Sequence, residues 1–197
     1  TELVYKGVVY NEMKGAMSSP IQTLWQTLQS HLFPTVTYHY NSGGEPECIP
    51  DLTYEALREF HARHYHPANA IFMTYGDIPA AAHQDRFQRL VLRHFTAQPI
   101  DFRVPPELRY EQPQRFEASY ALDGETDRTA RTHIVMGWLL GEITDPLARL
   151  EAELLSQVLI DHSASPLRQA LETTELGSAP SEVMGLENSS HEMVFAC

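Results

Sequence analysis

The residue best placed to do chemistry is Glu12, in the run Gly7-Val-Val-Tyr-Asn-Glu-Met-Lys-Gly15. From Leu3 to Ala16 the apolar residues Val4, Tyr5, Val8 and Val9 recur at helical spacing. Glu12 falls four residues after Val8 and three after Val9, so this reading places a carboxylate on the apolar face of a helix. A carboxylate on a packed face costs a few kcal/mol or gives up its charge unless something satisfies it. A metal ion would do so, and so would a lysine or arginine. Lys14 lies two positions away on a different face and is not the obvious partner.

The other clusters that look chemical each have a plainer explanation. His61, His64 and His66 form the densest histidine group, with His61 and His64 one helical turn apart. His66 precedes Pro67 and leaves the helix, so the convergent ligands of a zinc site are not expected there. Helix-end histidines commonly cap carbonyls or pack. Asp161-His162-Ser163 has the residue types of a nucleophilic triad, but three adjacent residues at a helix end cannot line up in that order. Gly43-Gly44 lacks a following Lys-Ser/Thr, which leaves phosphate binding unsupported. Trp25 and Trp138 lie in apolar registers and are expected in the core.

Longer blocks carry a resemblance. Lys6-Gly-Val-Val-Tyr-Asn-Glu-Met-Lys-Gly15, Asn41-Ser-Gly-Gly-Glu-Pro46, Ile49-Pro-Asp-Leu-Thr53 and His64-Tyr-His-Pro-Ala-Asn69 occur in that order, followed by Thr132-His-Ile-Val-Met-Gly-Trp-Leu-Leu140 and Ala164-Ser-Pro-Leu-Arg168. In these blocks the chain resembles the presequence-protease branch of the pitrilysin/insulinase zinc metallopeptidases. The resemblance implies that Glu12 is the third protein ligand of a catalytic zinc. It also implies that two histidine ligands and a glutamate general base come from an inverted His-x-x-Glu-His motif well upstream. None of the ten histidines here frames that motif, and the chain starts at Thr1 without a methionine. The expectation is therefore an internal piece of a larger enzyme, with the parent a peptidase and the piece itself inactive.

In such a parent, zinc with an open position would activate a water molecule that attacks the peptide carbonyl as the upstream glutamate takes its proton. Family members of this kind enclose unfolded peptides between two halves of a long chain and degrade presequences and other short peptides. The implied partners are thus peptide substrates and the remaining parts of the parent. The rival reading is a noncatalytic scaffold or peptide-holding subunit on the same fold.

Composition agrees with a soluble domain or pair of domains. The chain has 197 residues, 43% hydrophobic, and a formal net charge of -12. That charge argues against nonspecific binding to nucleic acid or anionic membranes, which needs basic patches. No apolar run approaches the roughly 18 residues that span a bilayer. The compartment is open between cytoplasm and organelle matrix, since an internal piece would carry no leader. Cys48 and Cys197 make no disulfide framework and are expected as free thiols.

Those residues must be positioned by a series of helices and strands. The first helix runs from about Leu3 to Ala16, and Ser18-Ser19-Pro20 starts a second that buries Ile21, Leu24, Trp25, Leu28 and Leu32 and stops at Pro34. Tyr38 to Pro50 reads as a loop. A third helix spans about Thr53 to Tyr65, and Ala70-Ile-Phe-Met-Thr-Tyr75 follows as a strand. Phe87, Leu90, Val91, His94 and Phe95 line a fourth helix. Thr96 to Gln114, with four prolines, reads as an extended linker. Beyond it, Phe116 to Leu122 and Thr132 to Leu140 read as strands. Asp145-Pro146 starts a helix with Leu147, Leu150, Leu154, Leu155, Val158 and Leu159 inward, Ser165-Pro166 starts another, and Met193 to Cys197 is a strand. The class is α+β. The resemblance implies a pitrilysin/LuxS-like metallohydrolase fold with a mixed sheet packed with helices. It further implies that 1-95 is the C-terminal part of the zinc-bearing first domain, 96-114 the interdomain linker, and 115-197 the N-terminal part of a second domain.

Overall fold

Capping residues start three of the helices where the sequence expects them. In the computed structural model, which describes residues 6–122, 124, 127–129 and 131–197, α1 covers Val8–Ala16 and α2 covers Pro20–Leu32. Ser19 caps α2 by accepting the Gln22 N–H, with Pro20 at the first helical position. Thr53 caps α3 (Tyr54–His64) through the Ala56 N–H. The helix α4 covers Ala80–Leu90, and β1 covers Gly137–Glu142. Asp145 caps α5 (Pro146–Ile160) most fully, accepting both the Leu147 and Ala148 N–H groups. After it come α6 (Pro166–Thr173), β2 (Gly185–Glu187) and β3 (Glu192–Ala196). The first turn expected from Leu3 lies partly outside the described residues.

The strands form one sheet in the order β1-β3-β2. Trp138 pairs with Phe195 and Leu139 with Val194, while Leu186 pairs with Phe195 from the other side. Both pairings are antiparallel, so among the described residues the sheet is antiparallel and not mixed as expected. The physical reason is connectivity: β2 and β3 are joined by four residues, too few for a parallel crossover. Met136 and Cys197 exchange both backbone hydrogen bonds, at 2.8 and 3.0 Å, and extend the β1–β3 ladder.

Phe33, Val36 and Val194 form the buried centre, with Trp25, Leu32, Tyr38, Val104 and Leu139 packed around it. This joins the end of α2 to the sheet. At Gly137 a Cβ would lie 2.7 Å from Leu28 Cδ1, so α2 approaches β1 closely. Cys197 is buried and Cys48 exposed, both as free thiols.

Several expected elements differ. Ala70 to Tyr75 lies outside any helix or ladder, with Ile71 97% exposed, because none of the described strands supplies its backbone partners. Phe116 to Leu122 is likewise outside any ladder. The fourth helix begins earlier than expected and ends at Leu90, where Val91 leaves helical geometry (φ -125°, ψ -66°) and a 3-10 turn over Leu92–His94 follows. In α5 the leucines Leu147, Leu150, Leu154 and Leu155 and Val158 face outward instead of inward. Ser156 and Ile160 are buried in their place, since the helix lays a narrow face on a sheet of three short strands. Trp138 is 46% exposed and meets Phe195 ring to ring in a tilted arrangement, centroids 6.0 Å apart, unlike the core position expected.

The chain divides into two compact units, Thr1–Ile49 with Val104–Cys197, and Pro50–Arg103. These boundaries are those of packing within this chain, a different matter from the family-based division into 1-95, 96-114 and 115-197. Residues 96–114 do lack helix and strand, but Val104 to Arg109 is pinned to the larger unit by buried hydrogen bonds. In the smaller unit, α3 and α4 bury little, with His66 its one fully buried polar residue among those described.

Candidate functional site

The helix α1 is held by one face and shows Glu12 on another. Tyr10, Met13 and Met17 are half-buried, whereas Val8, Val9, Glu12 and Ala16 are exposed. Val8, Glu12 and Ala16 lie at i, i+4 and i+8, with Val9 beside them, so the carboxylate does sit within an apolar stripe. That stripe is not packed, however: Val8 is 73% and Val9 55% exposed. Among the described residues Glu12 has no hydrogen-bond or ion-pair partner, so neither Lys14 nor any arginine neutralises it. A carboxylate in that setting keeps its lone pairs available as an oxygen donor.

The half-buried face of α1 rests on the turn Asn41–Gly44. Asn41 Oδ1 accepts the Gly43 N–H at 3.0 Å, and the Asn41 carbonyl accepts the Gly44 N–H at 3.0 Å. Gly44 has φ +92°, a left-handed geometry that favours glycine. Met13 lies over Gly43 so closely that a Cβ there would be 2.1 Å from its sulfur. One helical turn later, Asn41 Nδ2 points at Met17 Sδ, 3.7 Å away, and Thr23 Oγ1 donates to the Met17 carbonyl at 3.3 Å.

The histidine cluster does not converge. His61 stacks on Tyr65 at 4.7 Å, while His64 packs against Phe60 and Phe102 at 4.3 and 4.4 Å. His66 meets Phe95 edge-on, and its Nδ1 accepts the Ala68 N–H at 3.0 Å, capping the next turn. Among the described residues no group of three or more His, Cys, Asp and Glu could hold a metal ion. Asp161-His162-Ser163 is equally local: His162 Nδ1 accepts the Ala164 N–H at 3.2 Å, within its own turn. Burial pushes the Cys197 thiol up, away from thiolate reactivity.

Sequence reasoning missed the most buried polar cluster. Glu107 is 4% and Glu192 2% exposed. Glu107 accepts the Thr35 N–H and Oγ–H at 2.8 and 2.6 Å, the Val36 N–H at 3.2 Å and the Leu108 N–H at 2.7 Å. Burial alone would raise its pKa, but the bonds from Thr35, Leu108 and Val36 outweigh that and hold the carboxyl below its ordinary value of 4.5. Glu192 accepts the Glu107 N–H at 2.6 Å and pairs with Arg109 at 2.6 Å, and that guanidinium also donates to the Leu140 carbonyl. With each carboxylate oxygen bonded from within, this cluster pins a strap. The sequence signal was a glutamate directly ahead of an apolar strand and another inside a proline-rich stretch.

For zinc, the donor set fits one oxygen ligand and no more. Glu12 is an exposed carboxylate on α1, and among the described residues no group of three or more His, Cys, Asp and Glu gathers around it.

The profile described as "Peptidase M16 inactive domain" matches residues 51–196, so the chain belongs to the peptidase M16 family. It is similar to the protein named "Presequence protease, mitochondrial" from Xenopus laevis, 40% identical over 195 residues, covering 98% of this chain and 19% of that protein. The mouse (Mus musculus) protein of the same name is 38% identical over 197 residues, 100% of this chain and 19% of its own length. A bacterial relative, "Protein HypA" from Clostridium perfringens, is 32% identical over 194 residues, 98% of this chain and 20% of its own length. The chain thus spans about a fifth of the length of the curated relatives it matches. The family profile starts C-terminal to α1, whereas the likeness to the presequence proteases includes it.

Proposed function

We propose that this chain is part of a zinc metalloendopeptidase that degrades presequences and other short, unstructured peptides, and that Glu12 is one of its zinc ligands. The observation that carries the reading is Glu12 itself, an unpartnered, exposed carboxylate on a seated helix. It stands in a chain that resembles presequence proteases over nearly all its length. Zinc, when bound, supplies Lewis-acid activation of water and of the peptide carbonyl. The contribution of this chain is a fixed anionic oxygen, with the remaining ligands and the general base supplied by other parts of the protein.

On this reading, 1-95 is the C-terminal part of the zinc-bearing first domain, 96-114 the connection, and 115-197 the start of a second, metal-free domain. The name of the relatives supports an organelle-matrix setting. Among the described residues no helix is long and apolar enough to cross a membrane.

In the full-length protein, Glu12→Gln keeps the side-chain shape and removes the negative charge. Zinc content and peptide hydrolysis are expected to fall together, while the present chain alone, with a single donor, shows no chelator-sensitive turnover. A Glu12→Gln protein that retained full zinc and full activity would overturn the assignment.

A second reading is favoured by one observation, the description of the matched region as an inactive domain. A peptide-holding scaffold would have the same fold. The sequence upstream of Thr1 in the full protein separates the two: an intact His-x-x-Glu-His motif supports the peptidase, and its loss supports the scaffold.

A further inference from the structure

We propose that the Asn41–Gly44 turn is the seat that orients Glu12, with Gly43 and Met13 as positioning residues. The inference rests on the zinc-ligand reading of Glu12 and adds to it the device that aims the ligand. A carboxylate on an exposed helix face can serve as a fixed ligand only if the helix itself is fixed. Apart from Tyr10, which is half-buried and engaged in an interaction, the helix α1 has few points of attachment. It has no buried residue, and its N-cap Gly7 offers no side-chain hydrogen bond.

Two methionines one turn apart, on the face adjacent to Glu12, add to that anchorage. Met13 is the closer. Its Sδ, Cε and Cγ lie 2.1, 2.9 and 3.3 Å from where a Cβ on Gly43 would stand. Three successive atoms of the side chain therefore occupy the volume of a methyl group, and a side chain at residue 43 requires the flexible end of Met13 to leave its present position. A thioether suits such a seat, since it fills irregular space and is polarizable. Met17 makes the second contact through Asn41 Nδ2, and the same asparagine holds the Gly43 N–H through its Oδ1. One residue thus shapes the turn and touches the helix. Because Glu12 directly precedes Met13, a rotation of α1 about its axis that releases Met13 swings the carboxylate by the same angle. Fixing ligand orientation from outside the coordination shell is worth about 10–100-fold in metal affinity where it has been measured in other proteins.

The test uses the full-length protein and the variants Gly43→Ala, Met13→Ala, the two combined, and Gly15→Ala. Gly15 is on the same helix with open space around its Cβ position, so Gly15→Ala is the control. Amide exchange in peptides covering Val8–Ala16 is followed together with zinc retention against a chelator. Gly43→Ala and Met13→Ala should each speed exchange in α1 and weaken zinc retention by about tenfold or more. The double variant should be no worse than the poorer single, because both remove one contact, and Gly15→Ala should do neither. A purely structural role would lower the melting temperature and leave zinc retention of the folded protein unchanged. Unaltered exchange in α1 for Gly43→Ala, or faster exchange with zinc retention intact while Glu12→Gln loses zinc, would overturn the seat. Full zinc retention by Glu12→Gln would instead overturn the ligand reading, whatever Gly43→Ala does to exchange.

Discussion

Glu107 illustrates how much one buried carboxylate can organise. Its two oxygens take four hydrogen bonds from Thr35, Val36 and Leu108 and so hold the strap of Val104 to Arg109 against the end of α2. Replacing it by glutamine keeps the shape but turns an amide NH2 toward N–H donors, and leaves part of the set unsatisfied. Glu107→Gln should destabilise this chain by about 2 kcal/mol, read from urea unfolding. The pH dependence has a definite sign. The folded-state pKa of Glu107 lies below its ordinary value of 4.5, so its stabilisation is present in full above that value. It is lost as pH falls through the depressed folded value. Stability of the native chain should therefore drop more steeply in acid than that of Glu107→Gln, and parallel curves below the ordinary carboxylate range would contradict this account.

At the scale of elements, caps explain the helix starts better than propensity does. Asp145 accepts two N–H groups of α5, at 3.0 and 3.1 Å, whereas the Ser19 contact to α2 is longer, at 3.4 Å. Asp145→Ala should accordingly cost about 1 kcal/mol, and Ser19→Ala less, when their melting temperatures are compared. Equal losses would mean that the intact cap geometry does not set the contribution. Elements also differ in what they cover. In α5 the leucine face is bare and the face carrying Ser156 and Ile160 packs, so helical periodicity identified the helix but not the side that this sheet takes.

Across the whole molecule, much apolar surface lies open. Leu57 and Phe60 of α3, Ile71, Met73 and Tyr75 of the extended run, and the leucines of α5 are all exposed. Soluble monomers rarely leave large contiguous apolar patches uncovered. The relatives are about five times longer than this chain. The chain on its own, with a mass of 22.4 kDa, should bind a hydrophobic dye and show an apparent mass that rises with concentration. A monomer at all concentrations with no dye binding would show that these residues are shielded in solution.

Local chemistry is what the sequence by itself determined. Serine, threonine and aspartate ahead of proline or an apolar run marked the starts of α2, α3 and α5, because a cap is made by neighbours in the chain. The family was legible for a related reason, in ordered blocks such as Asn41-Ser-Gly-Gly-Glu-Pro46 and His64-Tyr-His-Pro-Ala-Asn69. Glu12 could be singled out from helical spacing, but spacing relates a side chain only to its own helix. That its stripe faces outward while Met13 and Met17 hold the helix was decided by the tertiary structure. The same holds for Ala70 to Tyr75, whose apolar pattern needs a partner strand before it becomes one. It holds most of all for Glu107, Glu192 and Arg109. Glu107 meets Thr35 from 72 residues away in the chain and Glu192 from 85, and contacts over such separations leave no local periodicity to read.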